Sequence, residues 1–156
     1  MLKKIGSHIL ALRPHQWVKN TFVLAALIFS GQLFNSESFN LAIWAFVAFS
    51  LCASSIYLLN DIIDYKRDQE HPKKRLRPIA SGQVTRPVAL ALSVTCVGLG
   101  TWVAYDVNPP TLIALSTYIG MNIAYSLGMK HLFLIDLFFI AIGFIIRVTV
   151  GAFAIS

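Results

Sequence analysis

The chain has 156 residues, 13 Lys+Arg against 7 Asp+Glu, and 56% apolar but only 13% charged residues. Soluble domains carry roughly 45–50% apolar and about 25% charged residues, so disorder is excluded and membrane spans are the first expectation. Cys52 and Cys96 both lie inside long apolar runs, which argues against a disulfide scaffold, and the formal charge of +6 is expected to mark one membrane face rather than a soluble basic surface.

Residues 1–16 mix Leu2, Ile5, Ile9, Leu10 and Leu12 with Lys3, Lys4, His8 and Arg13, a pattern suited to a short interfacial helix. A signal peptide is disfavoured, because the apolar run starts only after Pro14-His15-Gln16 and is longer than a usual signal core. A helix needs about 20 mostly apolar residues to cross roughly 30 Å of hydrocarbon. Five windows qualify, at about 17–34, 39–59, 88–105, 111–127 and 132–155, with a loop over 60–87. Asn35-Ser36 and Asn108-Pro109-Pro110 supply turn chemistry between them. The expected architecture is all-α, a polytopic transmembrane helix bundle forming one domain over 1–156.

The bases fix an expected orientation. Lys3, Lys4, Arg13 and Lys19 precede or open the first window. Lys66, Arg67, Lys73, Lys74, Arg75, Arg77 and Arg86 lie between the second and third, and Lys130 between the fourth and fifth. The loops around Glu37 and Asp106 carry no Lys or Arg. With the N-terminus inside, every base except Arg147 is cytoplasmic, as the positive-inside rule favours.

The most informative stretch is Asn60-Asp61-Ile62-Ile63-Asp64-Tyr65-Lys66-Arg67-Asp68. On a continuous helix Asp61, Asp64 and Asp68 fall within about 60° of arc, with Tyr57 on the same side and Asn60 one turn before Asp64. Carboxylates packed this closely repel unless a counter-charge joins them. Hard oxygen donors suit Mg²⁺, which keeps several waters and bridges to substrate phosphates. The competing reading is a solvated helix end whose acids pair with Lys66 or Arg67. Position favours the metal–phosphate reading, since the cluster continues an apolar helix straight out of the membrane.

These residues match the NDxxDxxxD motif of the UbiA-type intramembrane prenyltransferase superfamily at every motif position. Arg13-Pro14-His15-Gln16-Trp17-Val18-Lys19-Asn20 is similar to the RPxQWxKN signature of its decaprenyl-phosphate phosphoribosyltransferase branch. Arg77-Pro78-Ile79-Ala80-Ser81-Gly82 matches the branch's RPIASG stretch, and Tyr125-Ser126, Lys130 and Asp136 also resemble its pattern. The resemblance implies Mg²⁺-dependent transfer of 5-phosphoribosyl from 5-phosphoribosyl diphosphate to a polyprenyl (decaprenyl) phosphate, in synthesis of cell-wall arabinan precursors at the bacterial plasma membrane. It implies metal ligation by Asn60, Asp61, Asp64 and Asp68, with the three aspartates catalytic. Substrate contacts are implied for Lys19, Asn20, Arg67, Arg77, Tyr125, Lys130 and Asp136.

Such proteins have about nine transmembrane helices and a second aspartate-rich motif, and this sequence resembles their N-terminal half. The sequence is read as a fragment, a truncated reading frame or one piece of a split protein, self-association or a second chain being one way to supply the remainder, and the isolated chain is expected to have little activity. Two alternatives stand beside this reading. One is a prenyltransferase using an allylic diphosphate and an aromatic acceptor, which the QWVKN segment argues against. The other is a non-catalytic membrane subunit, which the aspartate cluster argues against.

Charges of the fifth window are unusual. Asp136 and Arg147 share a face with Gly143 and Gly151, yet lie about 16 Å apart along a helix and cannot pair directly. Charges at membrane depth generally face protein or a water-filled cavity. Asp136 is expected in the cytoplasmic-side cavity; Arg147 is read equally as a structural partner of another helix or a substrate contact. Lys73, Lys74 and Arg75 read as topogenic charge near anionic lipid. His8, His15, His71 and His131 show no zinc spacing, and Trp17, Trp44 and Trp102 read as interface anchors or packing residues. Nucleic acid is not an expected partner, because the bases lie along a membrane face without a soluble platform.

Overall fold

The computed structural model describes residues 2–129 and 133–156, with side chains for residues 6–127 and 137–156. Among the described residues every regular element is helical. Helix α1 (Leu2–Leu12) leads into a 3₁₀ stretch, Pro14–Leu24, continued by α2 (Ala25–Phe29). Helix α3 (Ser36–Ile63) is the longest and is followed by α4 (Tyr65–Glu70), a 3₁₀ turn at Lys74–Leu76, and α5 (Arg86–Val107). Helix α6 (Pro109–Ala124) runs into a π-helical turn, Tyr125–Met129, before α7 (Phe133–Ala154).

Capping explains two of the starts. The Asn35 side chain accepts from the backbone N–H groups of Glu37 and Ser38 at 3.0 and 3.1 Å, satisfying donors that α3 itself cannot. Asn108 does the same for Thr111 at 2.8 Å, with Pro109 and Pro110 in the first turn of α6, where no N–H is needed. Its amide nitrogen also donates to the Phe153 carbonyl at 2.7 Å, tying the start of α6 to the end of α7.

Helix α3 is the hub. Its small buried residues, among them Ala45, Ala48, Cys52 and Ala53, let neighbouring backbones approach. The tightest partner is α5, where a Cβ on Gly100 would lie 2.5 Å from Cys52 Sγ and 2.9 Å from the Ala48 carbonyl oxygen. The Ser55 and Ser93 hydroxyls meet across the same contact at 2.9 Å. Outward-facing large side chains, such as Val94, Trp102, Ile113 and Ile145, leave the bundle with an apolar exterior.

Three helices are long and apolar enough to cross a membrane: Ser36–Ile63, Arg86–Val107 and the Leu137–Ala154 part of α7. The other two windows depart from a simple α-helical span. The fourth is the 16-residue α6 plus the π turn. The first is not a continuous α-helix, because Pro14 opens a 3₁₀ geometry that persists to Leu24. That geometry rises about 2.0 Å per residue against 1.5 Å for an α-helix, so Pro14–Phe29 reaches roughly 30 Å with few residues. The first span lies across α3, with Trp17 Nε1 donating to Ser54 Oγ at 3.0 Å and Asn20 Nδ2 to Ser50 Oγ at 3.1 Å. On its other side a Cβ at Gly151 of α7 would sit 1.7 Å from the Val23 carbonyl oxygen.

A second, smaller core of Ala11, Leu58, Ile79, Val84 and Ala89 lies where the loop folds back on the end of α3. Gly82, at φ +77°, takes the left-handed turn that lets the Val84 N–H reach the Pro78 carbonyl at 2.9 Å. This packing holds Arg77 beside the end of α3.

Candidate functional site

Asp61 lies in the last turn of α3, and the helix breaks three residues later. Asp64 (φ −85°, ψ 5°) interrupts it and α4 restarts, so the three aspartates do not share one continuous helical face. Asp61 and Asp68 turn inward and Asp64 outward. Asp61 and Asp68 side chains are only 4% and 2% exposed, and Arg77 Nη1 bridges them at 3.0 and 2.6 Å. Asp64 is more exposed, with Arg67 at 3.8 Å.

Arg13 supplies the second counter-charge. Its Nη2 donates to both Asp61 oxygens, at 2.6 and 2.8 Å. The guanidinium also lies 5.3 Å from the Tyr57 ring centroid, within cation–π range. Arg13 has φ 54°, a left-handed conformation that disfavours residues with a Cβ, and this contact lies directly after the strained bend. The Ser54 hydroxyl donates to the Leu12 carbonyl at 2.8 Å and fixes the bend against α3.

Asn60 is joined from the far side by the Ser126 hydroxyl, which donates to its side-chain oxygen. The π turn thereby brings α6 to the aspartate-rich end of α3. Tyr125, beside Ser126, packs on Phe139 with ring centroids 4.9 Å apart. Lys19 and Tyr125 both line a cavity of about 280 Å³ that also touches Tyr57, Tyr118 and Arg147. Asn20 is buried deeper, between Ser50 and Arg147. Lys130 lies outside the described residues; Asp136 falls within α7, but its side chain is not among those described.

Two positions carry more than the sequence assigned them. Arg13 stands inside the Arg-Pro-His-Gln-Trp run, which gave it no partner; its pairing with Asp61 spans 48 residues. Arg147 was visible only as a charge at depth, and its partners lie on three other helical segments.

Among the described residues no three His, Cys, Asp or Glu side chains are gathered closely enough to share one ion. The two arginines take the counter-charge role at Asp61 and Asp68. A divalent cation nonetheless suits the donor set. Asp68 Oδ1 is buried and accepts no hydrogen bond, so one hard oxygen stands unused beside a second buried carboxylate. One or two protein carboxylates plus substrate phosphates is a usual ligand set for Mg²⁺.

Helices of membrane-spanning length with buried aspartates at one helix end define an intramembrane helical bundle, and the chain belongs to the UbiA prenyltransferase family, which its residues 20–156 match. Among curated relatives it is similar to the decaprenyl-phosphate phosphoribosyltransferase of Corynebacterium glutamicum, 38% identical over 94% of this chain and 45% of that protein. The protein of the same name from Mycobacterium tuberculosis is 38% identical over 96% of this chain and 51% of its own length. That from Mycolicibacterium smegmatis is 37% identical over 96% and 48%. The chain thus spans about half the length of these relatives.

Proposed function

We propose that this chain carries the aspartate-rich portion of a transferase that moves 5-phosphoribosyl from 5-phosphoribosyl diphosphate to a polyprenyl (decaprenyl) phosphate, with Mg²⁺ as cofactor. The observation that carries this reading is the pair of buried carboxylates, Asp61 and Asp68, converging on one guanidinium. Bound there with Asn60 and Asp64 nearby, Mg²⁺ would supply charge neutralisation for the departing diphosphate.

The chain's own residues account for the rest. Asp61 and Asp68 are the acceptor-only groups that hold the cation side. Arg13 and Arg77, released from the carboxylates, are positioned to donate to diphosphate oxygens, a charge-assisted contact suited to guanidinium. Arg67, exposed beside Asp64, and Lys19 at the neighbouring cavity are further donors of the same kind. The acceptor phosphate is already an anion and needs positioning rather than deprotonation. The aspartate end is proposed to face the cytoplasm, where the donor is soluble, with the lipid acceptor entering from the membrane. The remaining cell-wall steps would consume the lipid-linked phosphoribose.

The test is Mn²⁺ binding to the detergent-solubilised chain, followed by electron paramagnetic resonance with 5-phosphoribosyl diphosphate present. Asp61→Asn and Asp68→Asn are each expected to weaken Mn²⁺ affinity by tenfold or more, on the order of one lost charged ligand. Unchanged affinity in both variants rejects the site. Farnesyl diphosphate in place of the sugar donor separates the alternatives: tighter Mn²⁺ retention with the allylic diphosphate would favour an aromatic prenyltransferase.

A further inference from the structure

Arg147 is 7% exposed within α7, yet no carboxylate faces it among the described side chains. It is held by neutral groups instead. Its Nε donates to Asn20 Oδ1 at 3.1 Å and its Nη1 to the Gly143 carbonyl at 2.7 Å. Three rings surround the guanidinium, with centroids of Phe49, Phe144 and Tyr118 at 5.0, 5.3 and 5.6 Å. Asn20 is itself fixed by donating to Ser50, so the guanidinium is aimed by a chain of hydrogen bonds running from α3. Such a cage orients a cation and shields it from lipid, but leaves its charge unneutralised.

The cavity beside it has the same sign. Among the described side chains the two charged lining residues are Lys19 and Arg147, and none is acidic. Tyr57, Tyr118, Asn122 and Tyr125 add polar groups that can hydrogen-bond an anion, and its volume of about 280 Å³ admits a phosphate with a small attached group. Tyr57 lies one turn before Asp61 on α3 and touches Arg13, so the cavity begins about 6 Å below the carboxylates. Arg13 and Arg77 are occupied by Asp61 and Asp68, whereas Lys19 and Arg147 face no carboxylate among the described side chains, so this cavity suits an anion without any metal.

We infer that this cavity is a seat for a phosphate monoester, held by Arg147 from below and Lys19 at the rim, and separate from the aspartate site. Under the function proposed above, the monoester is one of two groups: the 5-phosphate at the far end of the ribosyl donor, or the phosphate of the lipid acceptor. The assignment of the ligand rests on that function; the seat itself does not. Arg147 is then a substrate-binding residue, and Asn20 a positioning residue that acts through it.

The experiment measures binding to the purified full chain in detergent, by isothermal calorimetry without divalent metal. The probes are inorganic phosphate, ribose 5-phosphate and farnesyl phosphate. The variants are Arg147→Met, Arg147→Lys, Lys19→Gln and Asp61→Asn. At least one monoester is expected to bind the wild-type chain and to lose about tenfold or more in Arg147→Met, the size of a charge-assisted hydrogen bond, with partial recovery in Arg147→Lys. Lys19→Gln, at an exposed position that the fold does not need, should lose several-fold and keeps the test decisive if Arg147→Met misfolds. Asp61→Asn should bind the monoester as well as wild type. Preference for ribose 5-phosphate assigns the seat to the donor, and preference for farnesyl phosphate assigns it to the acceptor. The inference is overturned if no monoester binds, if inorganic phosphate binds equally in all variants, or if Lys19→Gln and Arg147→Lys leave affinity unchanged. A chain that binds a monoester here but no Mn²⁺ at Asp61 and Asp68 would retain the seat and lose the proposed function.

Discussion

Gly151→Ala is a one-carbon change with a large expected effect. The added Cβ would lie 1.7 Å from the Val23 carbonyl oxygen and 2.7 Å from its carbon, both backbone atoms that no rotamer change can move. Restoring even a tight 3.0 Å contact needs α7 to retreat from the first span by roughly 1.3 Å. Overpacking of this kind costs about 1–3 kcal/mol. The retreat also reaches Arg147, one turn earlier on the same helix, whose 3.1 Å bond to Asn20 would stretch past hydrogen-bonding range. Losing a hydrogen bond from a charged group adds about 1.5–3 kcal/mol. Against this stands a gain of about 0.5–1 kcal/mol from replacing a helical glycine with alanine. The net expectation is a destabilisation of about 2–5 kcal/mol, read by tryptophan fluorescence during unfolding in mixed detergent and dodecyl sulfate micelles. Gly98→Ala, on α5 with open space around its Cβ, is the matched control and should be neutral or slightly stabilising. If Gly151→Ala unfolds at the same dodecyl sulfate fraction as Gly98→Ala, the close approach of α7 to Val23 is not a feature of the folded protein.

Two further outcomes test the site and its orientation. Arg77→Met leaves the Asp68 carboxylate without its bridging cation, and breaking a buried pair in this way costs about 3–5 kcal/mol; the same micelle unfolding should show that loss, and Mg²⁺ at millimolar concentration should recover part of it only if a cation can occupy the vacated place. A cysteine at exposed Ser81, in a Cys52→Ala/Cys96→Ala background, is expected to resist an impermeant maleimide in intact cells and to react after permeabilisation; labelling of intact cells would place the aspartate end outside.

Much of the bundle could be read from composition because membrane spans are written in long apolar runs, and α3, α5 and α7 follow them. The first span escaped that reading for a physical reason. Apolar content reports burial, whereas the choice between 3₁₀ and α geometry at Pro14–Leu24 depends on contacts with α3 and α7, which are far away in sequence. At the aspartate end, residue types singled out Asp61, Asp64 and Asp68, of which Asp61 and Asp68 are buried together against Arg77. The break at Asp64 was hidden, since nothing in Ile-Ile-Asp-Tyr-Lys marks a helix end as glycine or proline would. Arg13 and Arg147 show the same limit from the other side. Each is conspicuous as a charge, but Arg13 pairs across 48 residues and Arg147 with Asn20 across 127, distances that helical periodicity does not cover.

The 3₁₀ geometry of the first span sets a pitch match with its neighbour. Trp17 and Asn20 are three residues apart and bond to Ser54 and Ser50, four residues apart on α3 and running in the opposite direction. Three 3₁₀ steps and four α-helical steps both advance about 6 Å, so the two ladders stay in phase. Residues three apart on a 3₁₀ helix also stack in a straight row, which carries the phase on to Val23, the point of closest approach to α7. Wound as an α-helix, the same three residues would advance about 4.5 Å and slip about 1.5 Å per rung. The segment therefore behaves as a ruler laid between two helices: side chains on its outward row, such as Val18 and Thr21, can vary freely, while inserting or deleting one residue would throw Asn20 out of step with both Ser50 and the guanidinium it aims.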